Sequence, residues 1–92
     1  MSLWIRSQDK EILINVIAVG VDIGSNIYAI TNNDKLEPLV IGNYSTKEKA
    51  LKVLDMIETH LEDLEYKIHN RNFIFQMPDD EDIEEEWQYN GL

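Results

Sequence analysis

At Ser45 the hydrophobic pattern of this chain changes period, and that change constrains the fold more than any other feature. Before it, apolar residues come in short β-rich runs separated by polar or glycine-containing breaks. After it, Ala50, Val53, Leu54, Ile57, Leu61 and Leu64 recur at steps of three and four, the spacing of one helix face. Lys52, Asp55, Thr59, Glu62 and Asp63 take the other side, and Glu48 to Lys52 is a favourable i,i+4 pair. Ser45-Thr46-Lys47-Glu48 reads as a capping box, the Ser45 hydroxyl accepting from the Glu48 N–H while Glu48 reaches back. The pattern predicts one long amphipathic helix over 46–66, packed by its stripe on one face of a sheet, with Leu54 and Ile57 among the most buried residues.

Residues 3–44 read as strands. Leu3-Trp4-Ile5-Arg6-Ser7 and Glu11-Ile12-Leu13-Ile14-Asn15-Val16-Ile17 flank the polar Gln8-Asp9-Lys10, a hairpin pattern. The second run continues to Ile23 without a turn cluster, so Gly20 is expected to mark a bulge or bend. Gly24-Ser25-Asn26 predicts a tight turn with glycine at positive φ. Ile27-Tyr28-Ala29-Ile30-Thr31 is the next strand, Asn32-Asn33-Asp34-Lys35 the next turn, and residues 36–42 a further strand whose Pro38 places it at an edge or bulge. Asn70-Arg71-Asn72 ends the helix, Phe73-Ile74-Phe75-Gln76-Met77 forms a short final strand, and Pro78 stops it. The expected class is α+β: an antiparallel β-meander of four to five strands with one long helix, a short last strand and an acidic C-terminal tail. Residues 1–77 make a single domain and 78–92 a flexible tail. Strands 3–7 and 36–42 are expected at the sheet edges, which invites a homodimer by edge pairing or through an apolar face. The natural start is expected near Trp4.

Ninety-two residues allow one domain, burying roughly 65% of the extended surface. The absence of cysteine excludes a disulfide scaffold, a thiolate metal site and a cysteine nucleophile. Arg6, Asp9, Lys10 and Glu11 interrupt any signal peptide, and the nearly charge-free run from residue 12 to 21 is too short to span a bilayer. A cytoplasmic protein is expected. The formal net charge of -10 is unevenly placed: seven of the 18 acidic residues and none of the eight basic ones lie in 78–92. No basic surface is visible, so direct binding to nucleic acid or to an anionic membrane is not expected.

Candidate sites are few. Asp22, Gly24 and Ser25 match a short phosphate-loop pattern of the actin-like sugar kinases, but 92 residues cannot hold the two lobes such chemistry needs, and an ordinary hairpin is preferred. Glu62, Glu65 and His69 fall on one helix face and could ligate zinc or manganese, against the plainer reading of a solvated face. His60 lies elsewhere around the helix. Asn43-Tyr44-Ser45 is a glycosylation sequon by pattern alone. Trp4 and Tyr28 could form an exposed aromatic patch, with core or cross-strand packing preferred. No catalytic residue, metal ligand or cofactor is assigned. The acidic run at 79–86 is read first as a solvated tail, and functionally as a segment that docks Ile83, Trp87 or Tyr89 on a basic, apolar partner.

Three stretches resemble a family of small proteins from Gram-positive bacteria and their phages. They are Trp4-Ile5-Arg6-Ser7-Gln8-Asp9, then Ile41-Gly42-Asn43-Tyr44-Ser45-Thr46-Lys47-Glu48-Lys49-Ala50-Leu51-Lys52-Val53-Leu54-Asp55-Met56-Ile57, and Phe75-Gln76-Met77-Pro78 followed by acids. The stretch from 18 to 37 does not carry the resemblance. The family has no established biochemical function, so the resemblance implies a phage- or prophage-associated protein and no catalytic residues. The expectation is a non-enzymatic interaction module with an unknown protein partner. The alternatives are a DNA mimic that inhibits a DNA-binding protein and a metal-dependent enzyme.

Overall fold

The computed structural model describes residues 3–31, 37–66 and 74–84. They form an α+β fold: strands β1 (Leu3–Arg6), β2 (Leu13–Val21), β3 (Asn26–Thr31), β4 (Leu39–Asn43), helix α1 (Lys47–Tyr66), strand β5 (Ile74–Gln76) and a 3-10 turn (Asp80–Asp82). The sheet order is β4-β3-β2-β1-β5. Strands β1 to β4 pair antiparallel as a meander, whereas β5 runs parallel to β1, with Trp4 opposite Ile74 and Arg6 opposite Gln76. A parallel neighbour needs a long crossover, and α1 supplies it, carrying the chain from the β4 edge to the far side of β1. The expected edge at residues 3–7 is therefore corrected. Strand β1 is paired on both sides, and the edges are β4 and β5.

Alternation places one side chain in two against the helix. Leu3, Ile5, Ile14, Val16, Ile27, Ala29, Ile41 and Phe75 from the strands meet Ala50, Val53 and Ile57 of α1, and Tyr44, Met77 and Ile83 close the ends of this core. Leu54, expected among the deepest residues, is only half-buried, while Ile57 is 1% exposed. The contact stripe runs through 50, 53 and 57, and Leu54 sits on its shoulder.

Strand β2 holds both of its halves on the core face by a bulge. The register with β3 shifts between Val16 and Ala18, so Ile17 is the extra residue. Ile14 and Val16 face the helix before it, and Val19 and Val21 after it, a change of parity that an unbroken strand could not make. The irregularity expected at Gly20 thus lies three residues earlier. Gly20 has a different role: a Cβ there would stand 2.5 Å from the hydroxyl oxygen of Tyr28, its partner across the ladder.

The turn between β2 and β3 also differs from expectation. The positive φ falls on Ser25, at 64°, and Gly24 is not left-handed. Ser25 N–H donates to Asp22 O at 3.1 Å and Asp22 N–H to Asn26 O at 3.0 Å, a three-residue hairpin whose left-handed position follows the turn. The predicted turn at 32–35 and Phe73 of the predicted last strand lie outside the described residues.

The helix begins one residue later than the capping box implied. Thr46 is the cap: its Oγ1 accepts the Lys49 N–H at 3.1 Å and its carbonyl accepts the Ala50 N–H. Ser45 is drawn away by Asp80, whose Oδ1 accepts the Ser45 N–H at 2.7 Å. Among the described residues, no helix is long and apolar enough to cross a membrane.

Candidate functional site

The five strands contain one charged residue, Arg6, among the described residues. One face of the sheet is covered by α1, so low charge there follows from burial. Among the described residues the other face has no such cover, and an antiparallel sheet wetted on one side ordinarily alternates apolar with polar. Here it does not. Trp4 (41% exposed), Leu13 (52%), Ile17 (60%), Val40 (54%) and Ile74 (41%) all point away from the helix.

Register shows how these side chains join. Trp4 stands between Asn15 of β2 and Ile74 of β5, and Arg6 between Leu13 and Gln76. Farther along, Tyr28 lies between Gly20 and Val40, and Ala18 is opposite Ile30. The Ile17 bulge projects between these two groups, because an extra residue is turned out of the ladder. Arg6 donates its Nε–H to Lys10 O at 2.9 Å, which ties that guanidinium to the β1–β2 loop. Trp4 and Tyr28 therefore share the outer face but not a contact. Their rows meet β2 at Asn15 and Gly20, five residues or roughly 17 Å apart. They mark two ends of one apolar surface.

The first half of the acidic run belongs to the fold. Asp80 accepts from the Ser45 N–H and meets Lys49 Nζ at 3.4 Å, and Lys49 Nζ also donates to Asp80 O at 3.1 Å. The Ser45 backbone hydrogen bond, ahead of Lys49, holds the Asp80 carboxyl below the usual carboxylate range. Tyr44, buried, donates its hydroxyl to Pro78 O at 2.7 Å, and burial with the charges of Asp79 and Asp80 raises its phenol above the ordinary value. Gln8 adds a second clasp, accepting from the Asn43 N–H at 2.8 Å and donating to Pro78 O at 3.3 Å. Ile83, 6% exposed, packs in the core. Its expected role in docking a partner is corrected, because a side chain already buried in its own domain presents nothing to another. Trp87 and Tyr89 lie outside the described residues.

The remaining sequence candidates are structural. The Asp22 carboxylate accepts the Gly24 N–H at 2.8 Å and the Asn26 N–H at 3.0 Å, and Asn26 Nδ2 donates to it at 3.3 Å. These bonds, that from the Asn26 backbone first, hold the carboxyl below its usual range, so Asp22 shapes the turn rather than cradling a phosphate. Glu62 is exposed on α1; the side chains of Glu65 and His69 lie outside the described residues. Among the described residues, no three metal-ligating side chains gather. Asn43 of the sequon pairs its side chain with Asn26 Oδ1. Ser7, buried at the β1–β2 loop, is held there by its Oγ accepting the Ile12 N–H at 3.1 Å.

Sequence reasoning passed over His60. It stacks edge-to-face on Phe75 with ring centroids 5.4 Å apart, and its Nε2 is buried without a hydrogen-bond partner among the described residues. The signal was present: residue 60 is three beyond Ile57, one helical step along the buried stripe.

Compared with known proteins, the chain matches no family model, no curated protein and no solved structure.

Proposed function

We propose that this protein is a non-enzymatic interaction module that pairs with a second copy of itself through the outer face of its sheet. One observation carries the reading: a face that spans β1, β2, β4 and β5 exposes five large apolar side chains and one charge, already tied to a loop. Patches of that kind mark association surfaces, and homodimer interfaces are the more apolar kind. A second copy suits the charge as well. All 18 acidic residues lie outside the five strands, so two outer faces meet without opposing carboxylates from the strands. Two-fold pairing sets each patch against itself, the usual closed solution, with sheets about 10 Å apart. The DNA-mimic alternative has less support, because Asp80 is already engaged by Ser45 and Lys49.

The test is mass in solution by light scattering at micromolar concentration. The unmodified chain should have twice the mass of one copy, and Ile17→Lys or Val40→Lys should return it to one copy with the helix signal unchanged. Both residues are more than half exposed, so neither substitution disturbs the core. A single-copy mass for the unmodified chain, or a dimer indifferent to both substitutions, overturns the proposal.

A further inference from the structure

The exposed apolar side chains of the outer face fall into two groups, one on each side of the Ile17 bulge. Trp4 and Ile74 share the row of Asn15, and Tyr28 and Val40 share the row of Gly20. Ile17 lies between these rows, about 7 Å from one and about 10 Å from the other along β2. It also stands on the middle strand of the five. At 60% exposed, it is the most exposed large apolar side chain in the strands. The two groups differ in relief. Trp4 and Ile74 stand side by side as a ridge. Across the bulge, Ala18 and Gly20 leave a low floor. The Tyr28 ring lies over Gly20, where an added Cβ would stand 2.5 Å from its hydroxyl oxygen and 2.7 Å from its Cζ.

A two-fold axis between two facing sheets lies parallel to both, so it can run along the line joining the two groups or across it. An axis along the line sets ridge on ridge. It also brings Arg6, in the Leu13 row at the Trp4 end, opposite Arg6 of the second copy. Two guanidinium groups would then face each other in an apolar interface, where like charges repel and lose hydration. An axis across the line seats each ridge over the other copy's floor. Arg6 is in the row four residues from Ile17, so the two guanidinium groups then stand about 25 Å apart. Resting on the proposed self-pairing, we infer that its two-fold axis crosses the patch at Ile17. Ile17 meets Ile17 of the second copy, and Trp4 and Ile74 of each copy cover Ala18 and Gly20 of the other. The bulge that keeps both halves of β2 on the core thus also raises the central contact. A residue on the axis meets only its own counterpart, so position 17 decides which partner a copy accepts.

Charge complementation tests the axis. Ile17→Lys alone and Ile17→Glu alone should each have the mass of one copy, and their equimolar mixture twice that mass. Val40→Lys mixed with Val40→Glu should stay at one copy, because Val40 does not meet its own counterpart. Far-UV circular dichroism of all four should match the unmodified chain. A distance gives the direction of the axis. The chain has no cysteine, so Ile23→Cys, at a position 98% exposed beyond β2, offers one site for a nitroxide label. Ile23 is six residues past Ile17, roughly 20 Å, so the two labels should be ~35–40 Å apart by pulsed electron paramagnetic resonance. An axis along the patch would bring them to about 20 Å. That shorter distance overturns the inference. So does an Ile17 mixture that stays at one copy, or a Val40 mixture that doubles, while the unmodified chain is a dimer. A dimer broken by Val40→Lys but indifferent to Ile17→Lys also overturns it and leaves the outer face as the pairing surface. A single-copy mass for the unmodified chain instead defeats the pairing itself, and the axis with it.

Discussion

Ser25 shows how a single residue can carry strain that its neighbour could have relieved. Its φ of 64° is left-handed, a conformation disfavoured for an ordinary L-residue by roughly 1 kcal/mol. The position is tolerated because Asp22 organises the turn around it: one carboxylate takes two backbone N–H groups and the Asn26 amide. Ser25 O also accepts the Tyr44 N–H at 3.1 Å, fixing the turn to the segment that precedes α1. Ser25→Gly keeps that carbonyl and removes the Cβ conflict, so it should raise stability by roughly 0.5 kcal/mol after glycine's added unfolded-state freedom is subtracted. A urea unfolding midpoint that falls instead would show that the Ser25 side chain contributes to the turn. The turn was legible in Gly24-Ser25-Asn26, but which residue takes positive φ was not, because the Asp22 hydrogen bonds decide where the chain reverses.

At the scale of elements, the helix is the most legible part and its start the least. Its length and buried stripe follow from spacing alone. Its first residue depends on whether the Ser45 or the Thr46 hydroxyl accepts the capping N–H, and both have the chemistry. Asp80, 35 residues away in sequence, settles the matter by taking the Ser45 N–H. Thr46→Ala should therefore cost about 1 kcal/mol in thermal or urea unfolding, and Ser45→Ala distinctly less. Equal losses would restore Ser45 as the cap. Strand β2 teaches the same lesson for sheets. Its apolar run from 12 to 21 announced a strand, but the parity change at Ile17 is invisible in a continuous apolar stretch, where either face could be the buried one.

At the scale of the whole molecule, Asp80 and Tyr44 bind the chain beyond β5 to the start of α1, and this clasp depends on pH. The Asp80 carboxyl is more acidic folded than unfolded, chiefly through the Ser45 backbone bond. The unfolded chain thus binds a proton more readily. The stability that follows is complete above the ordinary carboxylate value of 3.8 and is lost as pH falls through the lower folded value. Asp80→Asn should lower the unfolding midpoint near neutral pH and narrow the gap to wild type in acid; a gap that does not narrow would remove the charge from the account. The local elements were written in the chain: short β-rich runs before Ser45, period three-to-four after it, a turn at Gly24-Ser25-Asn26, and a strand ended by Pro78. These are properties of neighbours within a few residues, where backbone sterics and side-chain spacing act. The place of β5 beside β1, the burial of Ile83, the engagement of Asp80 and the uncovered apolar face all pair residues tens of positions apart. Each depends on which surfaces remain after the helix has taken one side of the sheet, a competition among burial options that arises only once the elements meet in space.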